Sequence, residues 1–411
     1  MKTLHTAVLC AALSFAPLSQ ADVVTDWNHT AIDVMKAAGI AGNPWTRNMA
    51  MMNVAMSDAV NTVQGRYTRF AYNGPAAASA SAEAAAASAA RDMLIRAVPA
   101  QKESIEKAYE ASLRSIPAGA AKTSGIAVGE QASAAVFADR ANDQTNVPDT
   151  YRPLTTPGVW IPTVLPLFPH YAQAKPWALE RADVFRPSPP PALSSALYAR
   201  DYNETKEMGS VKSLKRTQEQ TDAVKFWTQT NLTPAWYFAA EQLGAARKLD
   251  LADNARVFAI LSMAFGNAFI IDWDAKFQYN FWRPMTAIRN GDQDGNDATE
   301  RDASWTPLNA TPMHPEYPSQ AGINNGVATG VLHAIFGKGQ ATIVATDLAD
   351  PKNKRSFTSV QHMSDEQKAV RIWGGIHFRN SLETGEAMGR KIADYLLANT
   401  IKPTQNMAEA R

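Results

Sequence analysis

Arg371-Ile372-Trp373-Gly374-Gly375-Ile376-His377-Phe378 sets a guanidinium and an imidazole six residues apart across a glycine pair. Two glycines permit a break, so arginine can close one segment and histidine open the next. Upstream, Lys276 and Arg283 stand seven apart in Lys-x6-Arg-Pro, among Trp273, Phe277, Tyr279, Phe281 and Trp282. On one helix that spacing gives both cations a common face, and cations held among aromatics need an anionic partner. Ser319 follows Tyr317-Pro318 at a loop-to-helix junction, where a hydroxyl and free amides can face an anion. Each feature has a bland reading as well: a solvated basic pair, an N-cap serine, a structural histidine. Taken together they supply three fixed cations, a hydroxyl with backbone donors and one imidazole. That set suits a tetrahedral or trigonal oxyanion. A neutral imidazole nitrogen can attack phosphorus or bind a metal oxyanion, while lysine and guanidinium groups neutralise the equatorial oxygens.

Other motifs carry less. Asp292, Asp294, Asn296 and Asp297 alternate like a calcium loop but lack its distal glutamate, and read as a turn. The sequence has no Gly-x-Ser-x-Gly, no His-Glu-x-x-His and no clustered Cys/His ligands, which excludes those hydrolase and zinc-site chemistries. His29, His170, His333 and His362 have no partner pattern and read as structural.

The elements that must position the chemical groups are helical. Apolar residues recur at helical spacing over 27–38 and 48–63, and 76–98 is an alanine-rich helix ending in Met93-Leu94-Ile95. Residues 102–116 and 120–142 predict two further helices. From 147 to 191 the composition turns to proline and aromatics, with Trp160, Phe168, Tyr171 and Trp177 favouring an ordered crossing or lid segment over a linker. Helical periodicity returns at about 194, with helices expected over 234–247, 251–273, 275–288, 320–336, 364–373 and 381–398. A polar, proline-bearing loop spans 290–317. The expected architecture is all-α, built as packed bundles with the second half carrying the chemistry. The expected units are 22–146, the proline-rich crossing 147–193, 194–400 and a tail, 401–411.

The chain has 411 residues, 45% of them hydrophobic, enough for a substantial core. A formal net charge of +1 gives no bulk attraction for nucleic acid or an anionic membrane. Lys2, the apolar run 7–15 and Ser19-Gln20-Ala21 have the form of a secretory signal peptide, 1–21, cut before Asp22. Export to the periplasm or the medium is therefore expected. The one cysteine, Cys10, falls inside that signal, so the mature chain would hold no disulfide. No later segment approaches the about 18 uninterrupted apolar residues of a transmembrane helix.

These residues resemble the superfamily that joins vanadium-dependent haloperoxidases with type 2 phosphatidic acid phosphatases and bacterial acid phosphatases. Its three blocks are Lys-x6-Arg-Pro, Pro-Ser-Gly-His and Ser-Arg-x5-His-x3-Asp. Here stand Lys276 to Pro284, Pro318-Ser319-Gln320-Ala321, and Val370-Arg371 to His377 and Ser381. Val24-Thr25-Asp26-Trp27-Asn28 and the stretch 51–63 resemble the amino-terminal half of secreted bacterial haloperoxidase-like proteins. The resemblance implies two packed four-helix bundles with vanadate, or phosphate, between helices of one. It implies that Lys276, Arg283 and Arg371 clamp the oxyanion and that Ser319 and the Gln320 amide donate to it. His377 would be the axial vanadate ligand or a phosphorylated nucleophile, and Trp273 and His314 would line a halide pocket. The implied reaction is oxidation of bromide or iodide by hydrogen peroxide; hydrolysis of a phosphate ester through phosphohistidine is the alternative. Two positions depart from the pattern. Ala321 replaces the acid–base histidine, a loss worth about 10²–10⁴-fold in rate, and Ser381 replaces the aspartate that orients the histidine. They add a third reading, a non-catalytic oxyanion-binding protein. His314 or Glu316 is the nearest substitute proton source in the sequence.

Overall fold

Short polar side chains cap the start of several helices. The carboxylate of Asp22 accepts from the amides of Val24 and Thr25 ahead of α1 (Val23–Ala37). Ser81 caps α3 (Ala82–Ala97), Ser195 caps α6 (Ala196–Gly209), and Asp250 caps α9 (Leu251–Tyr279). Ser319 and Ser359 do the same for α11 (Gln320–Phe336) and α12 (Val360–Trp373). The remaining helices are α2 (Gly42–Gln64), α4 (Lys102–Arg114), α5 (Ala120–Asp139), α7 (Gln218–Thr230), α8 (Leu232–Arg247), α10 (Pro284–Arg289) and α13 (Arg379–Asn399). These come from a computed structural model that describes residues 22–405 except Thr163 and Asn231. The expected signal peptide 1–21 and residues 406–411 of the expected tail lie outside the described residues.

The chain is all-α, as the periodicity implies, with one exception. The antiparallel pair β1 (Ile343–Thr346) and β2 (Lys354–Phe357) is a small hairpin between α11 and α12, absent from the sequence reading. Gln242 on α8 anchors it, its carboxamide bonding both the amide and the carbonyl of Val344.

In the first half α1, α2, α3 and α5 pack together, with α4 against α3. Alanine on α3 allows close approach: Ala84 to Ala87, Ala89 and Ala90 are fully buried. A Cβ on Gly129 of α5 would meet the Ala85 carbonyl at 2.3 Å. In the second half α9, α11 and α13 form the centre, flanked by α8 and α12. Glycines again set the spacing. A Cβ on Gly326 would lie 2.2 Å from the Glu386 carbonyl, and one on Gly389 2.2 Å from the Ile323 carbonyl. The two halves share a core through α2 and α9. By length and apolarity α9 could cross a membrane, yet it is a core helix, 94% buried over its most apolar window.

The crossing region contains two 3₁₀ turns, Pro169–Gln173 and Ala182–Phe185. Asn267 of α9 pins it by accepting from the Trp177 amide at 2.6 Å and donating to the Trp177 carbonyl at 2.9 Å. The Arg140 guanidinium lies 4.0 Å from the centroid of the Trp177 ring.

A helix through 275–288 does not form. Helix α9 ends at Tyr279, and Asn280 adopts a left-handed conformation with φ 49°. Phe281 bridges to Val159, and α10 begins at Pro284. Arg283 is extended before its proline (φ −79°, ψ 155°), as a pre-proline residue prefers, and proline suits the first helical position. Lys276 and Arg283 therefore do not share a helix face. The acidic stretch 292–297 is a turn in which Asp294 accepts from the Asn296 amide and the Thr299 hydroxyl. Among the described residues no group of three or more His, Cys, Asp or Glu is placed to hold a metal ion.

Candidate oxyanion site

Three breaks between helices deliver the site residues. Lys276 is in the last turn of α9, Arg283 just before α10, and Ser319 and Gln320 at the start of α11. Arg371 is in the last turn of α12, and His377 lies in the link to α13. Gly375 makes that link with φ 75°, and a Cβ there would meet the Gly209 carbonyl at 2.5 Å, so only glycine fits. The amide of Ser319 donates to the Ser381 carbonyl at 3.0 Å, tying α11 to α13 beside the site.

Lys276 is fully buried, and its ammonium donates to the carbonyls of Pro315 at 2.9 Å, Glu316 at 3.0 Å and Pro318. Asp272, one turn earlier and also fully buried, is 3.8 Å away. Arg283 is 1% exposed. Its Nε donates to the His314 carbonyl at 2.9 Å and one terminal nitrogen to the Ile376 carbonyl at 2.8 Å. The same nitrogen is 3.2 Å from His377 Nε2, and the other is 3.1 Å from His314 Nδ1. The inner cations thus brace the loop and both imidazoles. Ser319 Oγ accepts from the Gly322 amide at 3.4 Å, the N-cap role.

The carboxylate that orients His377 comes from an unexpected place. Glu316 Oε1 is 2.8 Å from His377 Nδ1 and accepts from the Phe378 amide at 3.0 Å. Since Oε1 already accepts from that amide, it is the acceptor for the Nδ1 proton as well, and Nε2 keeps its lone pair. Ser381, at the position of the family aspartate, donates to the Glu316 carbonyl at 3.3 Å. Sequence reasoning considered Glu316 only as a proton source. The pairing spans 61 residues and has no local signal. Asp272 was missed too, although an acid four residues before a buried lysine is a legible clue.

Trp273, His314, Gln320 and Arg371 face a common cavity, and the Trp273 and His314 ring centroids are 4.8 Å apart. Arg371 is partly exposed into that space; its Nε and the Gln320 Nε2 are buried donors that meet no protein acceptor. Ala321 is 2% exposed and packs with Ile372 and Leu382, so an apolar contact occupies the acid–base position.

Burial shapes the electrostatics. Desolvation, reinforced by Arg283, Lys276 and Arg371, holds His377 well below its ordinary pKa, and His314 likewise, so both imidazoles are neutral. Burial raises Glu316 and Asp272 to about 7 against the pull of nearby cations. It lowers Lys276 to about 8, Arg283 to about 9 and Arg371 to about 10. Among the described residues Arg371 has no carboxylate within ion-pair distance, whereas Lys276 has Asp272. The donor set fits a small oxyanion: buried cations, a neutral imidazole whose Nε2 faces the Arg283 guanidinium, and the Arg371 and Gln320 donors that meet no protein acceptor.

Residues 256–406 match the family described as the VCPO second helical-bundle domain. A vanadium chloroperoxidase of Curvularia inaequalis is 27% identical over 176 residues, 37% of this chain. That match spans 29% of the relative's length. The crystal structure of a bacterial vanadium-dependent iodoperoxidase superposes with a TM-score of 0.78 at 24% identity, covering 93% of this chain and 97% of that one. A holo-type bacterial vanadium-dependent chloroperoxidase gives 0.69 at 15% identity, covering 92% and 93%. The fold is that of the helical haloperoxidases. The match to the second helical-bundle domain covers residues 256–406, the part of the chain that holds the three blocks.

Proposed function

We propose that the chain is a vanadium-dependent haloperoxidase that oxidises bromide or iodide with hydrogen peroxide. The observation that carries this reading is the buried His377, its Nδ1 fixed by Glu316 and its Nε2 facing the Arg283 guanidinium. Lys276, Arg283, Arg371, Ser319 and the Gln320 amide would hold vanadate, with His377 Nε2 as its ligand. Bound there, vanadate would supply Lewis acidity toward peroxide. His314 takes over the proton work that Ala321 cannot do. Arg283 donates to its Nδ1, so the proton sits on Nε2, and the ring lies beside Trp273 at the cavity. Trp273 and His314 would receive the halide.

One observation favours the reading as a non-catalytic oxyanion binder: Ala321, at the acid–base position, is buried in an apolar contact with Ile372 and Leu382. Phosphate ester hydrolysis through phospho-His377 is the other alternative; its leaving alkoxide finds alanine at the usual acid position and would depend on His314 for its proton. Reconstitution separates the readings. Added vanadate should confer peroxide-dependent bromination of a phenol dye, with phosphate competing for the site. Vanadate bound without turnover establishes the binder, and metal-free turnover of an aryl phosphate establishes the phosphatase.

A further inference from the structure

The proposed reaction would release hypohalous acid inside the protein, and sulfur is the softest side-chain atom it can meet. The chain's one cysteine, Cys10, lies outside the described residues. Most of the described methionines, from Met35 on α1 to Met388 on α13, are buried, and Met208 and Met285 are half-buried. Met313 alone among the described methionines is exposed, at 37%. Its position is as particular as its exposure. Pro312 before it and His314 after it line the cavity of about 430 Å³ that holds the oxyanion residues, with Trp45 and Trp273 among its aromatic walls. The Met313 carbonyl accepts from the Leu167 amide at 2.9 Å, and Leu167 lines the same cavity from the crossing segment. The Leu167 carbonyl in turn accepts from Trp273 Nε1 at 2.9 Å. Two wall segments thus meet at Met313. Its own side chain is not part of the wall and is open to solvent, so the thioether stands at the rim.

We propose that Met313 is a sacrificial modification site, oxidised to the sulfoxide by hypohalous acid that leaves the cavity. This rests on the haloperoxidase reading for its oxidant. The thioether sulfur attacks the halogen, the O–X bond breaks, and a halosulfonium and hydroxide result. The hydroxide oxygen then bonds to sulfur, halide leaves with the S–X electron pair, and the hydroxyl proton passes to water. Sulfur loses the electron pair that the halogen gains, so nothing beyond hypohalous acid is consumed. The halide is returned for another turnover, and the sulfoxide is open to repair by reductases.

The test follows methionine oxidation in the full chain by peptide mass spectrometry. With vanadate, hydrogen peroxide and bromide, Met313 should gain oxygen about tenfold faster than Met208 or Met285, because oxidation follows exposure. Omitting bromide should abolish that gain. Free methionine in solution should protect Met313 from hypobromous acid added to the vanadate-free chain. It should protect far less during turnover, where the oxidant arises beside the residue. Met313→Leu conserves volume; it should start at the parent's rate and lose activity after fewer turnovers. Turnover that leaves Met313 unmodified, equal protection in the two settings, or an unchanged lifetime in Met313→Leu overturns the proposal and leaves the haloperoxidase reading standing. A chain that gives no turnover with vanadate, while added hypobromous acid still oxidises Met313 first, overturns the haloperoxidase reading and with it the source of the oxidant.

Discussion

Glu316 does for His377 what the family assigns to an aspartate four residues beyond the histidine. A buried carboxylate that fixes a ligand's tautomer is typically worth about 10–100-fold in affinity. Glu316→Ala should therefore weaken vanadate binding by that factor, measured by equilibrium titration. Adding Ser381→Asp should recover part of the loss, because that position is already bonded to the Glu316 backbone and faces the same side of the link. No recovery, with both proteins folded, would show that Glu316 serves structure only. Arg371 makes a separate case, having among the described residues neither a carboxylate partner nor an acceptor for Nε. Arg371→Ala should abolish phosphate competition while leaving the melting temperature unchanged or raised, since no native pairing is lost.

Backbone breaks, more than helices, assemble the site. The N-cap serine Ser319 made one helix start legible: α11 was expected over 320–336 and forms there. The break at Asn280 was half legible, through Pro284, but the spacing of Lys276 and Arg283 suggested a continuous face that the left-handed turn removes. The hairpin of β1 and β2 escaped because strands of four residues carry too little alternation to compete with helical periodicity. Convergence of the three blocks was legible only by resemblance; the Glu316–His377 bond and the aromatic cavity depend on tertiary contacts that no local pattern encodes. The glycine contacts between α11 and α13 give a prediction at this scale. Gly326→Ala should destabilise the chain by about 1–3 kcal/mol through overpacking, because the new Cβ meets backbone rather than a movable side chain. Chemical denaturation measures it, and an unchanged midpoint would mean that the two helices separate freely.

For the whole molecule, the buried site couples stability to pH and to anions. Folding raises Asp272 from 3.8 and Glu316 from 4.5, each to about 7. The folded chain then binds more protons than the unfolded chain between these limits. Their contribution is complete below about pH 4 and is lost as pH rises through about 7. His314 and His377, held well below their ordinary pKa, contribute in the opposite sense as pH rises through about 6.5. The carboxylate part is therefore read by comparison: the parent should lose more stability between pH 5 and pH 7.5 than Glu316→Gln does, with calorimetry at both values as the check. Saturating phosphate should restore stability at pH 7.5, by about 2.7 kcal/mol at one hundred times its dissociation constant. We propose export to the periplasm or medium on the leader-like start, and units over 22–146 and 194–400 that pack on one core and are joined by the crossing 147–193. Limited proteolysis in that crossing tests the division.

The most direct measurement is a vanadate titration of the parent chain and of His377→Ala, with circular dichroism confirming that both keep their helices. A single imidazole nitrogen acting as the ligand predicts one tight site in the parent and loss of tight binding in the variant. Equal affinity in the two proteins would contradict that role, and with it the chemistry assigned to this fold.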